Sequence, residues 1–220
     1  MQLVITDDGS HTLFVPSMDE HYHSTFGAIN ESMHVFVRNG LNFIAEKTKE
    51  FSILEVGFGT GLNALLTCIT AIENQLKVTY YTIEKYPIDA TITGKLNYPA
   101  LLSSKQNPER LFNSIHQASW NEMTVVHPNF HLYKIQDDIT TFQPGFNYDI
   151  IFYDAFAPEK QPEMWTRSIF TSLYKHLKPG GILTTYCVKG LVKRMLKSVG
   201  FSIEKLPGPR GKREMLRGKK

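Results

Sequence analysis

Residues Phe51–Asn63 read FSILEVGFGTGLN. The stretch opens as a short apolar run (Phe51, Ile53, Leu54, Val56), breaks into a turn at Gly57, Gly59 and Gly61, and continues with Leu62, Leu65, Leu66 and Ile69 at helical spacing. Strand, glycine turn and helix in that order open a nucleotide-binding α/β domain, and glycine there lets a ligand approach the backbone because no Cβ intervenes. The helix does not open with Lys followed by Ser or Thr, which excludes a P-loop, and G-x-G-x-G differs from the G-x-G-x-x-G of dinucleotide sites. A tight β–α turn without any ligand gives the same pattern when the stretch is taken alone.

Acidic residues recur where the following strands are expected to end. Lys77–Ile83 reads as a strand ending at Glu84, 29 residues after Glu55. A carboxylate so placed can accept both ribose hydroxyls of an adenosine ligand, although alone it is also an ordinary surface residue. His131–Ile135 reads as a third strand, followed by Asp137 and Asp138. Tyr148–Tyr153 (YDIIFY) is almost continuously apolar, as a central parallel strand should be, and runs straight into Asp154. Ligands of open α/β sheets lie at the carboxyl ends of the strands, so Gly57, Glu84, Asp138 and Asp154 are expected around one crevice.

The rest of the chain frames that core. Residues 1–15 alternate about Asp7–Ser10 as a hairpin, and Thr25–Phe43 has helical spacing. Helices are expected over Pro87–Leu96, Glu109–His116, Pro162–Leu177 and Leu191–Val199. Strands are expected over Ile182–Val188, Phe201–Leu206 and Glu214–Arg217, the last two as an antiparallel edge hairpin. Apart from 109–116, residues 97–130 give no assignment. The spacing thus predicts an α/β fold in two parts. Residues 1–45 form a hairpin-and-helix extension packed on the core, and 46–220 form the main α/β domain.

The chain has 220 residues, 42% hydrophobic and 20% charged, the balance of a globular domain with one sizeable core. No apolar run approaches the ~18 residues of a membrane span. MQLVITDDGS carries no basic segment followed by an apolar one, so no secretory signal is expected. Cys68 and Cys187 lie in apolar segments and read as reduced core thiols, which points to the cytoplasm. His21 and His23 lack a third ligand, so no metal is expected. Charge is uneven: residues 193–220 carry ten Lys/Arg against Glu204 and Glu214, on a chain whose net charge is +3. Such a basic end suits a polyanion, or simply keeps a tail solvated.

Glu55, two residues before Gly57, completes E-x-G-x-G-x-G, which resembles the first motif of class I S-adenosylmethionine-dependent methyltransferases. A carboxylate there repels a pyrophosphate but suits a ligand with an ammonium and a sulfonium. That resemblance implies a Rossmann-like, mostly parallel seven-stranded sheet. It also implies cofactor contacts from Glu55, Gly57, Phe58, Gly59, Gly61, Leu62, Asn63, Glu84, Lys85, Asp154 and Asp138, with Asp137 as the alternative to Asp138.

Four blocks narrow the resemblance: Phe51–Asn63, Glu84–Pro87, Asp154–Trp165 (DAFAPEKQPEMW) and Gly211–Leu216. Together they resemble the methyltransferase part of the MnmC family of bacterial tRNA-modifying proteins, in the form without the FAD-dependent oxidase domain. The resemblance implies methylation of the aminomethyl amine on the wobble uridine, with the tRNA anticodon region as partner and a separate enzyme supplying the intermediate. Asp154 is the expected catalytic carboxylate, unless it merely caps its loop. Tyr22, Ser24 and Glu31 are candidates for a lid over the site. Tyr22, Tyr153, Phe156 and Trp165 are candidates to stack on the base, or core residues. Lys160, Arg210, Lys212 and Arg213 are candidates to meet phosphate. Two other readings remain, a methyltransferase for a different amine and a non-catalytic RNA-binding protein of the same fold. An intact Glu55, glycine turn, Glu84 and Asp154 weigh against the second.

Overall fold

Three short antiparallel strands, β1 (Gln2–Ile5), β2 (His11–Val15) and β3 (Glu20–His21), come first in the computed structural model, which describes residues 1–220. Ala28–Ser32, Met33–Leu41 and Asn42–Ala45 follow as helical segments that run on from one another, the middle nine residues with the wider π geometry. The main sheet then takes β4 (Glu50–Val56), β5 (Lys77–Glu84), β6 (Met123–His127), β7 (Phe130–Gln136), β8 (Tyr148–Tyr153), β9 (Leu177–Thr185), β10 (Ser202–Pro207) and β11 (Glu214–Lys219). Its order is β10-β11-β9-β8-β4-β5-β7-β6. The five central strands are parallel, β11 and β10 form the antiparallel edge hairpin, and β6 is antiparallel on the other edge.

The sheet therefore has eight strands, one more than expected. The addition, β6, comes from the stretch that resisted assignment. It is a half-exposed edge strand with a bulge between Val125 and His127, so it lacks the apolar run that betrays a central strand. The helix expected over Pro87–Leu96 shrinks to one turn, Ala90–Thr93, capped by Asp89 through the Thr91 N–H at 2.7 Å. The one expected over Pro162–Leu177 splits into a turn, Pro162–Met164, and a helix, Arg167–His176, capped by Thr166. Lys178–Gly181 lie inside β9, and β9 ends at Thr185 rather than Val188.

Alternation along each strand sends side chains to two separate cores. Ile53, Tyr80, Phe130, Phe152 and Ile182 face the N-terminal helical segments and the helices Leu62–Glu73 and Pro108–Gln117. Leu54, Ile83, Ile151, Tyr153 and Leu183 face the helices Arg167–His176 and Gly190–Ser198. A fully buried side chain of this size contributes about 1.5–3 kcal/mol, so two such layers fix both the sheet register and the faces. Residues 28–45 are part of this packing. Gly40 comes so near Phe152 that a Cβ would stand 2.8 Å from its ring.

Candidate active site

From β4 the chain passes to β5, crosses to the edge strand β6 and comes back to β7 between them. It returns to β8 on the other side of β4 and winds away again. The connections leaving the carboxyl ends of β4 and β8 therefore run in opposite directions, which is where open α/β sheets bind ligands. The Asp154 N–H donates to the Val56 carbonyl at 3.1 Å, joining the two ends. Gly57, at φ +92°, passes so close that a Cβ would stand 2.9 Å from the Asp154 carbonyl oxygen.

Beyond this junction lies a cleft of about 910 Å³. Gly57, Glu84, Asp138 and Asp154 all line it, with Phe58, Gly59, Leu62, Asn63 and Lys85. From outside the central strands come Tyr22, Ser24, Glu31, Phe156 and Lys212. Glu84 accepts the Gly59 N–H at 3.2 Å and the Tyr86 N–H at 2.9 Å, while burial raises its carboxyl above the ordinary range. Asp138 pairs with Lys85 at 2.7 Å and accepts from the Thr140 N–H and hydroxyl. The lysine, then Thr140, hold its carboxyl down to about 2. Asp137 lines the same wall and accepts the Asp138 N–H at 2.7 Å. Asp154 behaves oppositely. Burial, reinforced by the charge of Glu31, pushes its carboxyl up to about 7, against the Asn63 amide, which donates to Oδ2 at 2.8 Å, and the charge of Lys212.

Several expected residues sit elsewhere. Glu55 is fully buried beneath the cleft and lines no part of it. Its place on β4 turns it toward the helix Leu62–Glu73, where it accepts from the Thr82 hydroxyl at 2.7 Å, and burial raises it to about 8. Its other oxygen, Oε1, is buried without a hydrogen-bond partner. Gly61 begins that helix and packs on His116 instead of lining the cleft. Trp165 is buried, its indole N–H donating to the Phe156 carbonyl at 2.8 Å. It props the 154–158 loop and offers no face to a base. Tyr153 is likewise core, hydrogen-bonded to the Met164 carbonyl. Lys160 pairs with Asp19 at 3.5 Å and Arg210 with Asp7 at 3.7 Å, both outside the cleft lining. Arg213 borders a smaller adjoining pocket. Lys212 turns inward, 2.5 Å from Glu31 and 4.0 Å from the centre of the Tyr186 ring.

Among the lining residues that the sequence reading did not place in the site, Tyr186 and His23 bear on its chemistry. Tyr186 immediately follows β9 and donates its hydroxyl to the Ala155 carbonyl at 2.9 Å. The strand-end rule finds it once β9 is seen to stop at Thr185. His23 is buried, 2.8 Å from the Thr60 hydroxyl, and burial lowers its imidazole to about 4, so it stays neutral. Nowhere do three or more His, Cys, Asp or Glu come together to hold a metal ion. No helix is long and apolar enough to cross a membrane.

The donor set can be tested against the ligand that the glycine motif implies. The cleft is lined by seven carboxylates (Glu20, Glu31, Glu84, Asp137, Asp138, Asp154, Glu163) against two lysines (Lys85, Lys212), so it favours a cation. Asn63 Oδ1 is buried without a hydrogen-bond partner, an acceptor available to an ammonium. The glycine backbone leaves room that side chains would fill. A nucleoside carrying a sulfonium and an ammonium fits this set. The fold and the cleft are those of the class I methyltransferases.

Comparison with known proteins narrows the class. A family model described as S-adenosyl-L-methionine-dependent methyltransferase matches residues 105–220, and the chain belongs to that family. It is 32% identical over 216 residues to the tRNA 5-methylaminomethyl-2-thiouridine biosynthesis bifunctional protein MnmC of Leptospira borgpetersenii, covering 91% of this chain and 32% of that protein. The MnmC of Cupriavidus metallidurans is 30% identical over 227 residues, covering 96% of this chain and 33% of that one. The chain thus spans about a third of the length of these curated relatives. The crystal structure of MnmC2 from Aquifex aeolicus superimposes with a TM-score of 0.83 at 27% identity, over 99% of this chain and 69% of that one.

Proposed function

We propose that this protein methylates the primary amine of the aminomethyl group on the wobble uridine of tRNA, giving 5-methylaminomethyl-(2-thio)uridine. The substrate part of the reading is supported by the similarity to the MnmC proteins, and the chemistry by Asp154, a carboxylate at the junction of β4 and β8 that lines the cleft and is raised to about 7. S-adenosylmethionine, when bound, supplies an electrophilic methyl group on sulfur. Gly57, Phe58, Gly59, Leu62 and Asn63 would hold its amino-acid end, Glu84 its ribose, and Asp138 with Lys85 its adenine side. What the chain must do is deliver a neutral amine, since an alkylammonium of pKa about 10 has no lone pair. Asp154 orients the incoming ammonium and takes its proton, a role worth about 10²–10⁴-fold in rate.

Of the four aromatic candidates, Phe156, edge-on to Tyr22 at 4.9 Å, and Tyr22 itself line the cleft and would contact a base drawn out of the anticodon stack. Arg213 borders the adjoining pocket of about 600 Å³, which shares Ala157, Tyr186 and Lys212 with the cleft, and would meet the flanking backbone. The protein would work in the cytoplasm on an intermediate made by a separate enzyme. The test is transfer of a radiolabelled methyl to tRNA bearing the aminomethyl group, with nucleoside analysis of the product. Label in 5-methylaminomethyluridine supports the assignment. Absence of label there, with methylation of a different amine, replaces it.

A further inference from the structure

We propose that the Glu31–Lys212 ion pair is a positioning device for Asp154, bringing one charge of each sign from opposite ends of the chain to balance the field at the catalytic carboxylate. The proposal rests on the reading of Asp154 given above and extends it to two residues that the central strands do not supply.

Glu31 belongs to the helical segment Ala28–Ser32, and Lys212 to the loop between β10 and β11. They are 181 residues apart in sequence and meet at 2.5 Å inside the cleft. Glu31 is buried, only 7% exposed, and its other oxygen accepts the Ser24 N–H at 2.8 Å, so the carboxylate cannot swing out to water. Lys212 lies over the Tyr186 ring, and Tyr186 is anchored to the Ala155 carbonyl beside Asp154. Each half of the pair is therefore held in place by a contact independent of the other.

Asn63 on the helix bonds Asp154 directly, and the charged and titratable groups that act on it are Glu31, Lys212, Glu55 on β4, Tyr80 on β5 and Tyr186 past β9. Glu31 drives the Asp154 carboxyl up and Lys212 drives it down. Glu31 alone would keep Asp154 protonated at neutral pH, unable to accept a proton. Lys212 alone would keep it ionised but repel the incoming ammonium and weaken it as a base. Asp154, Glu31 and Lys212 together carry a net charge of −1 when Asp154 is ionised, which matches one cationic acceptor. His23 stands near both and is neutral, so it does not upset this balance.

The experiment reads the ¹³C carboxyl titration of Asp154 in the whole protein without cofactor or tRNA, the resonance being assigned by its loss in Asp154→Asn. Glu31→Gln should lower the midpoint by about one pH unit and Lys212→Met should raise it by about as much. The double variant should return close to wild type, and Lys212→Arg should leave the midpoint in place. Circular dichroism melting confirms that each variant is folded. Midpoints that stay put in folded single variants, or that move in the same direction, overturn the proposal. Because the titration needs no tRNA, this outcome is separate from that of the methyl-transfer assay. Shifted midpoints in a protein inactive on aminomethyl tRNA keep the device and remove only the substrate assignment. In an active enzyme the acid limb of the pH–rate profile should move with the midpoint.

Discussion

Two walls of one cleft carry the same kind of side chain and treat it in opposite ways. At the ends of β5 and β7, Asp138 is half-exposed, pairs with Lys85 and is held down to about 2. At the ends of β4 and β8, Asp154 is half-buried too, but only a neutral amide donates to it, and desolvation with the charge of Glu31 pushes it up to about 7. The difference is the company each keeps. A carboxylate with a cation and hydroxyl donors beside it is stabilised as an anion, whereas one desolvated near another carboxylate holds its proton. The outer wall can recognise a ligand and the inner junction can move a proton, and neither could take the other's task.

Replacement at the junction should have the largest effect. Asp154→Asn keeps the shape and removes the base, so turnover should fall by about 10²–10⁴-fold while the dissociation constant for S-adenosylhomocysteine changes little. Radiolabel transfer and calorimetry measure the two, and equal losses in both would erase the distinction between the walls. The same variant should also alter stability. In the folded state the Asp154 carboxyl lies above its unfolded value of 3.8, so the folded chain binds the extra proton between about pH 4 and 7. Stability from this group declines as pH rises through that window. Asp154→Asn should therefore melt higher than wild type at pH 8, with the gap closing toward pH 4.

Next is the prop behind the junction. Trp165→Ala removes a buried side chain and the hydrogen bond to the Phe156 carbonyl, and should cost about 3–5 kcal/mol in denaturant unfolding. Trp165→Phe should recover most of the packing but not the hydrogen bond. Gly57→Ala is smaller, about 1–3 kcal/mol, because the residue is forced to hold φ +92°. Its added methyl meets the Asp154 carbonyl, so stabilisation by S-adenosylhomocysteine should vanish in a thermal shift assay even where the fold survives.

The smallest effect belongs to the outer wall. Asp138→Asn breaks an exposed pair and should change stability by no more than about 1 kcal/mol, with turnover at saturating cofactor unchanged. The stability that Asp138 provides is present above its unfolded pKa of 3.8 and is lost as pH falls through about 2, so any difference from wild type should fade at the acid end. A large loss of turnover in Asp138→Asn would move the chemistry to the wrong wall.

The sequence by itself determined the sheet and the residues at its strand ends. Apolar runs and the glycine turn are local patterns, and parallel strands bring their carboxyl ends together wherever the loops lead. That is why Gly57, Glu84, Asp138 and Asp154 could be read in advance as sharing one crevice, which they line. Face and depth were decided only on folding. Strand alternation points Glu55 into the core behind the crevice, and Trp165 is swallowed by the loop it supports. Lys212 stands in a basic run that reads as a phosphate contact until the C-terminal hairpin folds it onto Glu31, a residue at the other end of the chain. Charge partners and burial depend on contacts between distant segments, and no local pattern of residues encodes which of them will meet.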